Sequence, residues 1–376
     1  MIVAVNARLL RKGRLEGIGN FMDEVLKRIT AQHPEVSFHF VFDHRPKANF
    51  KYAENVTLHV LFPPTKHVAL YNYWFNIRLP KVLKKIKADV FLSLDSLGSL
   101  NLEIPQHLVL HDINFVHRPQ DLPKTLAKYY QKNTKELLKK VDRIATVSGY
   151  SRKDIAQSYQ FPQDKIDVVF NAAKSVFKPI EPAGQEIIRA RYTKGKPYFF
   201  YVGSLHPRKN LINLLKAFEL FKLSDTKSTQ LLIAGDVMWS YPAFNQQVNA
   251  MQHKEAVVLM GRIPDKTLAE LLASSLALTY IPHFEGFGIP IVEAFAAGIP
   301  VLTSNQTCLP EIAGKGALYA HPDAVEDIAA KMQQLSTDQT LRIRLIEAGK
   351  LELLNYSWDK TAKLYWNSVE QILPQG

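Results

Sequence analysis

Along the second half of the chain, short apolar runs rich in β-branched and aromatic residues alternate with longer segments of helical period. That alternation is the mark of βαβ units around a parallel sheet, and it predicts strands near 198–203, 230–234, 256–260, 276–280, 299–303 and 316–319. Between them Leu211, Leu214, Leu215 and Phe218 recur at three- and four-residue spacing, as do Leu268, Leu271 and Leu272, so helices are expected to cover the sheet on both faces. The first half reads similarly but less cleanly. Strands fall near 2–6, 37–42, 56–61, 89–94, 107–111, 143–147 and 166–170, giving a second α/β domain.

Between the halves lies Phe177-Lys178-Pro179-Ile180-Glu181-Pro182-Ala183-Gly184, whose prolines and glycine suit a linker rather than a regular element. The expected organisation is therefore 1–180, 181–355 and a last helix within 356–376, capped by Ser357 and striped by Leu364, Tyr365, Val369 and Ile372. Such a stripe must dock on something. No stretch supplies the roughly 20 apolar residues of a membrane span, and Ile2-Val3-Ala4-Val5 is far shorter than a secretory core. With Cys308 as the only cysteine, an intrachain disulfide and a cysteine-built metal site are excluded, and a cytoplasmic location is expected.

The net charge of +12 asks for an acidic partner. Its distribution is uneven: residues 1–185 hold 28 Lys and Arg against 17 Asp and Glu, net +11, leaving +1 for the remainder. Part of the excess lies in Trp74 to Lys87, where Phe75, Ile77, Leu79, Val82, Leu83 and Ile86 alternate with Arg78, Lys81, Lys84, Lys85 and Lys87. That pattern reads either as a domain helix with a solvated basic face or as a peripheral contact with an anionic membrane.

The most specific segment is His283-Phe284-Glu285-Gly286-Phe287-Gly288-Ile289-Pro290-Ile291-Val292-Glu293-Ala294, directly after the strand ending at Tyr280. Gly286 and Gly288 permit a tight turn with free backbone N–H groups, and Pro290 suits the first residue of a helix. A helix N-terminus facing such a turn favours an anion. Glu293, about one turn or roughly 5 Å into that helix, is placed to accept hydrogen bonds from ribose hydroxyls beside a bound diphosphate. Glu285, on the turn itself, lies where a transferred sugar would sit. Upstream, Arg208-Lys209 follows Gly203 after a strand and precedes a helix, where two cations and the helix dipole converge on phosphate. His111-Asp112 closes the strand Leu108-Val109-Leu110, at the carboxyl edge where α/β sheets place ligands.

These segments resemble glycosyltransferase family 4, also called group 1 transferases. The resemblance rests on Glu285-x7-Glu293 followed by Ala294-Phe295-Ala296-Ala297-Gly298-Ile299-Pro300-Val301, on Phe200 to Asn210 as a diphosphate loop, on Leu232-Ile233-Ala234-Gly235, and on Gly261-Arg262-Ile263-Pro264 as a base-contacting turn. Pro310-Glu311-Ile312, Tyr356-Ser357-Trp358, Gly17-Ile18-Gly19-Asn20-Phe21, His111-Asp112 and Thr146 to Ser151 also match, so it spans nearly the whole chain. It implies a GT-B fold, two Rossmann-like domains facing across a cleft, with the last helix crossing back to the N-terminal domain. Carried onto this chain, the donor-binding set is Gly17, Gly19, Gly203, Ser204, Arg208, Lys209, Gly235, Arg262, Ile263, Glu285, Gly286, Phe287, Gly288, Ile289 and Glu293. The catalytic set is His111, Asp112, Arg208, Lys209 and Glu285. Ser204 is a departure, since many members carry Arg there.

The resemblance further implies retention at the anomeric carbon, a GDP- or UDP-sugar as substrate and a glycan or lipid-linked acceptor in polysaccharide or glycolipid synthesis. No cofactor and no metal are expected, because fixed cations and helix N-termini meet the need for positive potential and the Asp-x-Asp of metal-dependent transferases is missing. Two rivals remain at this level. One is a GT-B sugar-nucleotide epimerase. The other is a basic nucleic-acid-binding protein, for which the charge is the only support and no aromatic-and-basic motif speaks.

Overall fold

The protein was analysed as a computed structural model that describes residues 1–11, 17–46, 52–65, 67–236 and 241–373. It divides into two units, Met1–Asn171 with Ser357–Gly376, and Ala172–Tyr356; residues 374–376 of the expected last segment lie outside the described residues.

The first unit holds a parallel sheet of β1 (Ile2–Asn6), β2 (Ser37–Phe42), β3 (Val56–Val60), β4 (Val90–Ser93), β5 (Gln106–Val109), β6 (Ile144–Thr146) and β7 (Ile166–Val168), in the order β3-β2-β1-β4-β5-β6-β7. The second holds β8 (Tyr198–Val202), β9 (Gln230–Ala234), β10 (Val257–Gly261), β11 (Ala277–Tyr280), β12 (Val301–Ser304) and β13 (Ala317–Ala320), in the order β10-β9-β8-β11-β12-β13. Every strand expected from the apolar runs is present. The reason is burial on both faces, which makes central strands read as continuous apolar runs: Val3, Ala4 and Val5 of β1, and Tyr198 to Tyr201 of β8, are fully buried. In each sheet the chain order reverses next to the first strand, between β1 and β4 and between β8 and β11, and ligands of open α/β sheets bind at the carboxyl ends beside such a reversal.

The changeover between units falls at Asn171, earlier than the proline-rich stretch. Residues after it already pack on the second unit: Lys174 Nζ donates to Asp265 Oδ2 at 2.8 Å, and Pro179 lies against Gly298. Nor is 177–184 wholly irregular, because a helix runs Pro182–Thr193. Proline costs nothing in a first turn, where its missing N–H would have no partner.

The segment 74–87 settles into the core. A short helix, Val68–Tyr73, passes through a π turn, Trp74–Arg78, into the helix Leu79–Ile86. Trp74, Phe75, Leu79 and Leu83 are buried in a cluster with Val41, Leu61 and Phe91, and Trp74 Nε1 donates to the Leu61 carbonyl at 2.8 Å. Of the apolar stripe only Ile77 is exposed, while Lys81, Lys84 and Lys85 face outward. Burying the stripe in lipid would mean unpacking the domain, so any membrane contact here has only surface charge to work with. Among the described residues no helix is long and apolar enough to cross a membrane.

The last helix, Trp358–Glu370, belongs to the first unit and is capped as expected by Ser357, whose hydroxyl accepts from Lys360 N. Trp358, Ala362, Tyr365, Trp366 and Val369 are buried against the helix Gly17–Gln32 and the sheet; Trp366 stacks on His33 with ring centroids 4.1 Å apart. Thr361 Oγ1 donates to the Phe170 carbonyl at 2.6 Å, pinning the helix beyond β7.

Candidate active site

In the second unit the carboxyl ends of β8, β9 and β10 are closed by Gly203, Gly235 and Gly261. The first two are fixed by geometry: both have positive φ, and a Cβ on Gly235 would lie 1.9 Å from the Gly203 carbonyl oxygen. Two loops therefore press backbone to backbone, which only glycine permits. Ser204 contributes its carbonyl, which accepts from the Tyr201 hydroxyl at 3.2 Å. Past the end of β10, Arg262 is exposed and Ile263 half-buried.

Beyond Gly203 a short turn, Pro207–Lys209, aims two cations at one carboxylate. Arg208 Nη1 lies 2.9 Å from Glu285 Oε2 and donates to the Phe284 carbonyl at 2.8 Å. Lys209 Nζ lies 2.5 Å from Glu285 Oε1 and donates to the Tyr280 hydroxyl at 2.8 Å. All three charged side chains are at most 17% exposed. Burial pushes the Glu285 carboxyl up, but Arg208 and Lys209 outweigh it and hold the group below the ordinary range for glutamate. Two cations against one anion leave an excess positive charge beside the glycine turn.

Two members of this cluster have no role that the sequence assigns, although Asn210 closes the loop Phe200 to Asn210. Tyr280, fully buried at the end of β11, takes the Lys209 ammonium; its place as the last strand residue was the available clue. Asn210, in the left-handed region, donates through Nδ2 to the carbonyls of Ile281 at 3.0 Å and Pro322 at 2.6 Å. It ties the Arg208-Lys209 turn to the loops after β11 and β13.

Gly286, Phe287 and Gly288 are buried, and Gly288 at φ +95° precedes the helix Ile289–Ala296. The helix starts at half-buried Ile289, one residue before the expected Pro290. Phe287 packs edge-on against Tyr356 with centroids 5.5 Å apart, an anchoring contact. Glu293 is buried in that helix, and its carboxyl has no hydrogen bond or ion pair among the described residues. Burial raises it to about 8, with Lys174 pulling down and Asp265 pushing up. Burial thus favours the protonated form of Glu293 at neutral pH, whereas an acceptor for ribose hydroxyls is best ionised.

In the first unit His111 follows β5. Its Nε2 lies 2.9 Å from the Leu94 carbonyl, so that nitrogen carries the proton, and its ring meets Phe21 edge-on at 5.0 Å. Burial holds the imidazole below its usual pKa against the opposing pull of Leu94, Asp112 and Asp95. A neutral ring with Nδ1 as acceptor results. Asp112 Oδ1 accepts from Asn114 N at 3.0 Å, closing the turn into the helix Asn114–His117. Gly17 and Gly19 lie in the first turn of Gly17–Gln32, where amides have no intrahelical acceptor. Among the described residues no group of three or more His, Cys, Asp or Glu side chains is arranged to hold a metal.

Residues 185–352 match the family described as glycosyl transferases group 1, and residues 15–174 match glycosyltransferase family 4. The O-antigen chain mannosyltransferase B of Escherichia coli is 31% identical over 265 residues, 69% of this chain and 70% of that protein. This chain belongs to the group 1, family 4 glycosyltransferases. Among solved structures, the transferase is similar to WaaG, a glycosyltransferase involved in lipopolysaccharide biosynthesis, with TM-score 0.77 over 99% of each chain at 16% identity. It is also similar to Anabaena Alr3699/HepE, solved in complex with UDP and glucose, with TM-score 0.76 over 98% and 99% of the two chains at 14% identity. At such identities the likeness bears on fold: the glycosyltransferase has the GT-B architecture of two Rossmann-like sheets.

Proposed function

We propose that this glycosyltransferase moves a hexose from a GDP- or UDP-sugar to a glycan or lipid-linked acceptor in polysaccharide or glycolipid synthesis, with retention and without a metal ion. The observation that carries the reading is the pair Arg208 and Lys209 held on Glu285 beside the N-terminus of Ile289–Ala296. Departure of a nucleoside diphosphate builds negative charge on the phosphates, and preorganised cations, amides and a helix dipole stabilise it without reorganising. In this scheme Lys209 and Arg208 meet the diphosphate, with the amides of Gly286 to Gly288 beside them. Gly203, Ser204, Gly235, Arg262, Ile263, Phe287 and Ile289 shape the nucleotide pocket, and Glu293 takes the ribose hydroxyls. Glu285 faces the transferred sugar, while His111 and Asp112 of the first unit keep the sugar and acceptor roles that the family resemblance implies.

The bond from anomeric carbon to phosphate oxygen breaks and one from anomeric carbon to acceptor oxygen forms on the same face, the acceptor proton leaving to the departing phosphate. The mannosyltransferase relative supports a hexose, and the UDP complex of the structural relative supports a nucleoside diphosphate. Incubation with UDP-, GDP- and ADP-sugars, with and without acceptor glycans, tests the reading. Transfer that needs acceptor and keeps the anomeric configuration supports it, whereas sugar isomerisation without acceptor would make the protein an epimerase. Exposed Lys81, Lys84 and Lys85 support a peripheral, purely electrostatic contact with anionic lipid; equal flotation with neutral and anionic vesicles would remove it.

A further inference from the structure

The first unit carries another polar constellation, used by none of the roles above. Arg8 stands just past β1 and Asp95 just past β4, the two strands between which the chain order reverses. Arg8 Nε donates to Asp95 Oδ2 at 2.5 Å, and Nη1 reaches Thr65 Oγ1 at 3.4 Å. Asp95 Oδ1 accepts from Ser93 Oγ and Leu97 N, so both carboxylate oxygens are committed. Arg8 Nη2 has no partner among the described residues. Both residues are buried, at 7% and 3% exposure.

Three half-buried tyrosines surround this pair. The Arg8 guanidinium carbon lies 5.2 Å from the Tyr71 ring centroid; Tyr129 meets Tyr71 edge-on at 5.5 Å, and Tyr130 meets Tyr129 at 6.0 Å. All three rest on the Trp74–Phe75–Leu79 core. Their hydroxyls have no protein partner among the described residues and are not sealed from solvent. Burial lifts the Tyr130 hydroxyl to about 12, so it stays a neutral donor and acceptor. Leu94, whose carbonyl accepts from His111 Nε2, adjoins Asp95, whose charge also bears on His111, so the cluster neighbours that histidine.

A cluster of three tyrosine rings, three unused hydroxyls and one free guanidinium edge on a charge-balanced Arg8–Asp95 pair narrows the ligand, although Arg8 already lies over Tyr71 and Phe115 stacks on Tyr130 at 5.3 Å. An anion would find its cation already neutralised by Asp95, and an alkyl chain would strand the polar groups without water. A neutral, polyhydroxylated ring can pair with the hydroxyls and the guanidinium edge and rest on the ring surface that remains. We propose that Arg8, Tyr71, Tyr129 and Tyr130 form the subsite that holds an uncharged sugar ring of the acceptor. The inference rests on the transferase reading and names a substrate class for it.

Saturation-transfer NMR on the full chain with methyl α-mannoside, methyl α-glucoside and methyl α-galactoside tests it. At least one hexoside is expected to bind. Tyr129→Ala should weaken it about tenfold, and Tyr71→Phe, which keeps the ring, should weaken it less while melting like wild type. No signal from any hexoside, or wild-type binding in both tyrosine variants, would each overturn the proposal. Titration with UDP and GDP separates the two readings. Nucleotide binding without hexoside binding removes this subsite and leaves the transferase reading standing, whereas hexoside binding without sugar transfer does the reverse.

Discussion

Lys209 and Glu285 lie 76 residues apart in sequence and meet at 2.5 Å, Nζ to Oε1, with Arg208 closing on the other carboxylate oxygen. The carboxylate offsets the repulsion between two neighbouring cations and fixes both in place, as the proposed diphosphate role requires.

Lys209→Ala is expected to cost about 3 to 4 kcal/mol of transition-state stabilisation, two to three orders of magnitude in rate, beyond its loss of donor affinity. Arg208→Ala should cost less, because its guanidinium also serves the Phe284 carbonyl. Activity should survive EDTA. Loss on chelation, with recovery on manganese or magnesium, would give the charge-neutralising role to a metal instead.

If Glu293 takes the ribose as proposed, donor binding should depend on pH. Its folded pKa of about 8 lies above the ordinary 4.5, so the stability it permits is fully present below 4.5 and is lost as pH rises through 8. Glu293→Gln lacks that titration. Its stability advantage over wild type should grow between those limits, to on the order of 4 kcal/mol. Ribose hydroxyls donate best to the ionised form, so nucleotide affinity should rise toward pH 8 in wild type and stay flat in the variant. Parallel pH profiles of the two proteins would dismiss the ribose role.

His111→Ala should leave nucleotide affinity nearly intact and slow transfer, since the imidazole is proposed to face the sugar. Because burial keeps the ring neutral, wild-type turnover should show no His111 titration near pH 6.5. Normal turnover in the variant would make His111 a packing residue against Phe21.

His107 bears on how the last helix is held. Its Nε2 meets Ser368 Oγ at 2.7 Å, and that hydroxyl donates onward to Asp167 Oδ2 at 2.5 Å. Burial depresses the imidazole to about 3, Asp167 pulling it up and Arg143 down, and its Nδ1 has no partner. A depressed folded pKa means stability present above pH 6.5 and lost as pH falls toward 3. Denaturant melts should show wild type losing stability over that range, and His107→Gln should lack that share of the slope, on the order of 1.4 kcal/mol per pH unit. Identical slopes would show that His107 is not the group that titrates.

The sequence by itself determined the strands, the two-sheet plan, the glycine turns and the positions of Arg208, Lys209, Glu285 and Glu293. Each depends on local period or on a backbone demand that few residues meet, as at Gly235, where the chain passes against Gly203. Tertiary structure decided what those residues do to one another. Only packing puts Lys209 on Tyr280 and Glu285, strips Glu293 of water and so neutralises it, and gathers Arg8, Asp95 and three tyrosines. It also put the apolar stripe of Trp74 to Lys87 in the core, since an amphipathic stripe has the same period whether it faces lipid or its own core. Periodicity says which side of a helix is apolar. What covers that side, and what charge a buried carboxyl then carries, depends on residues distant in sequence.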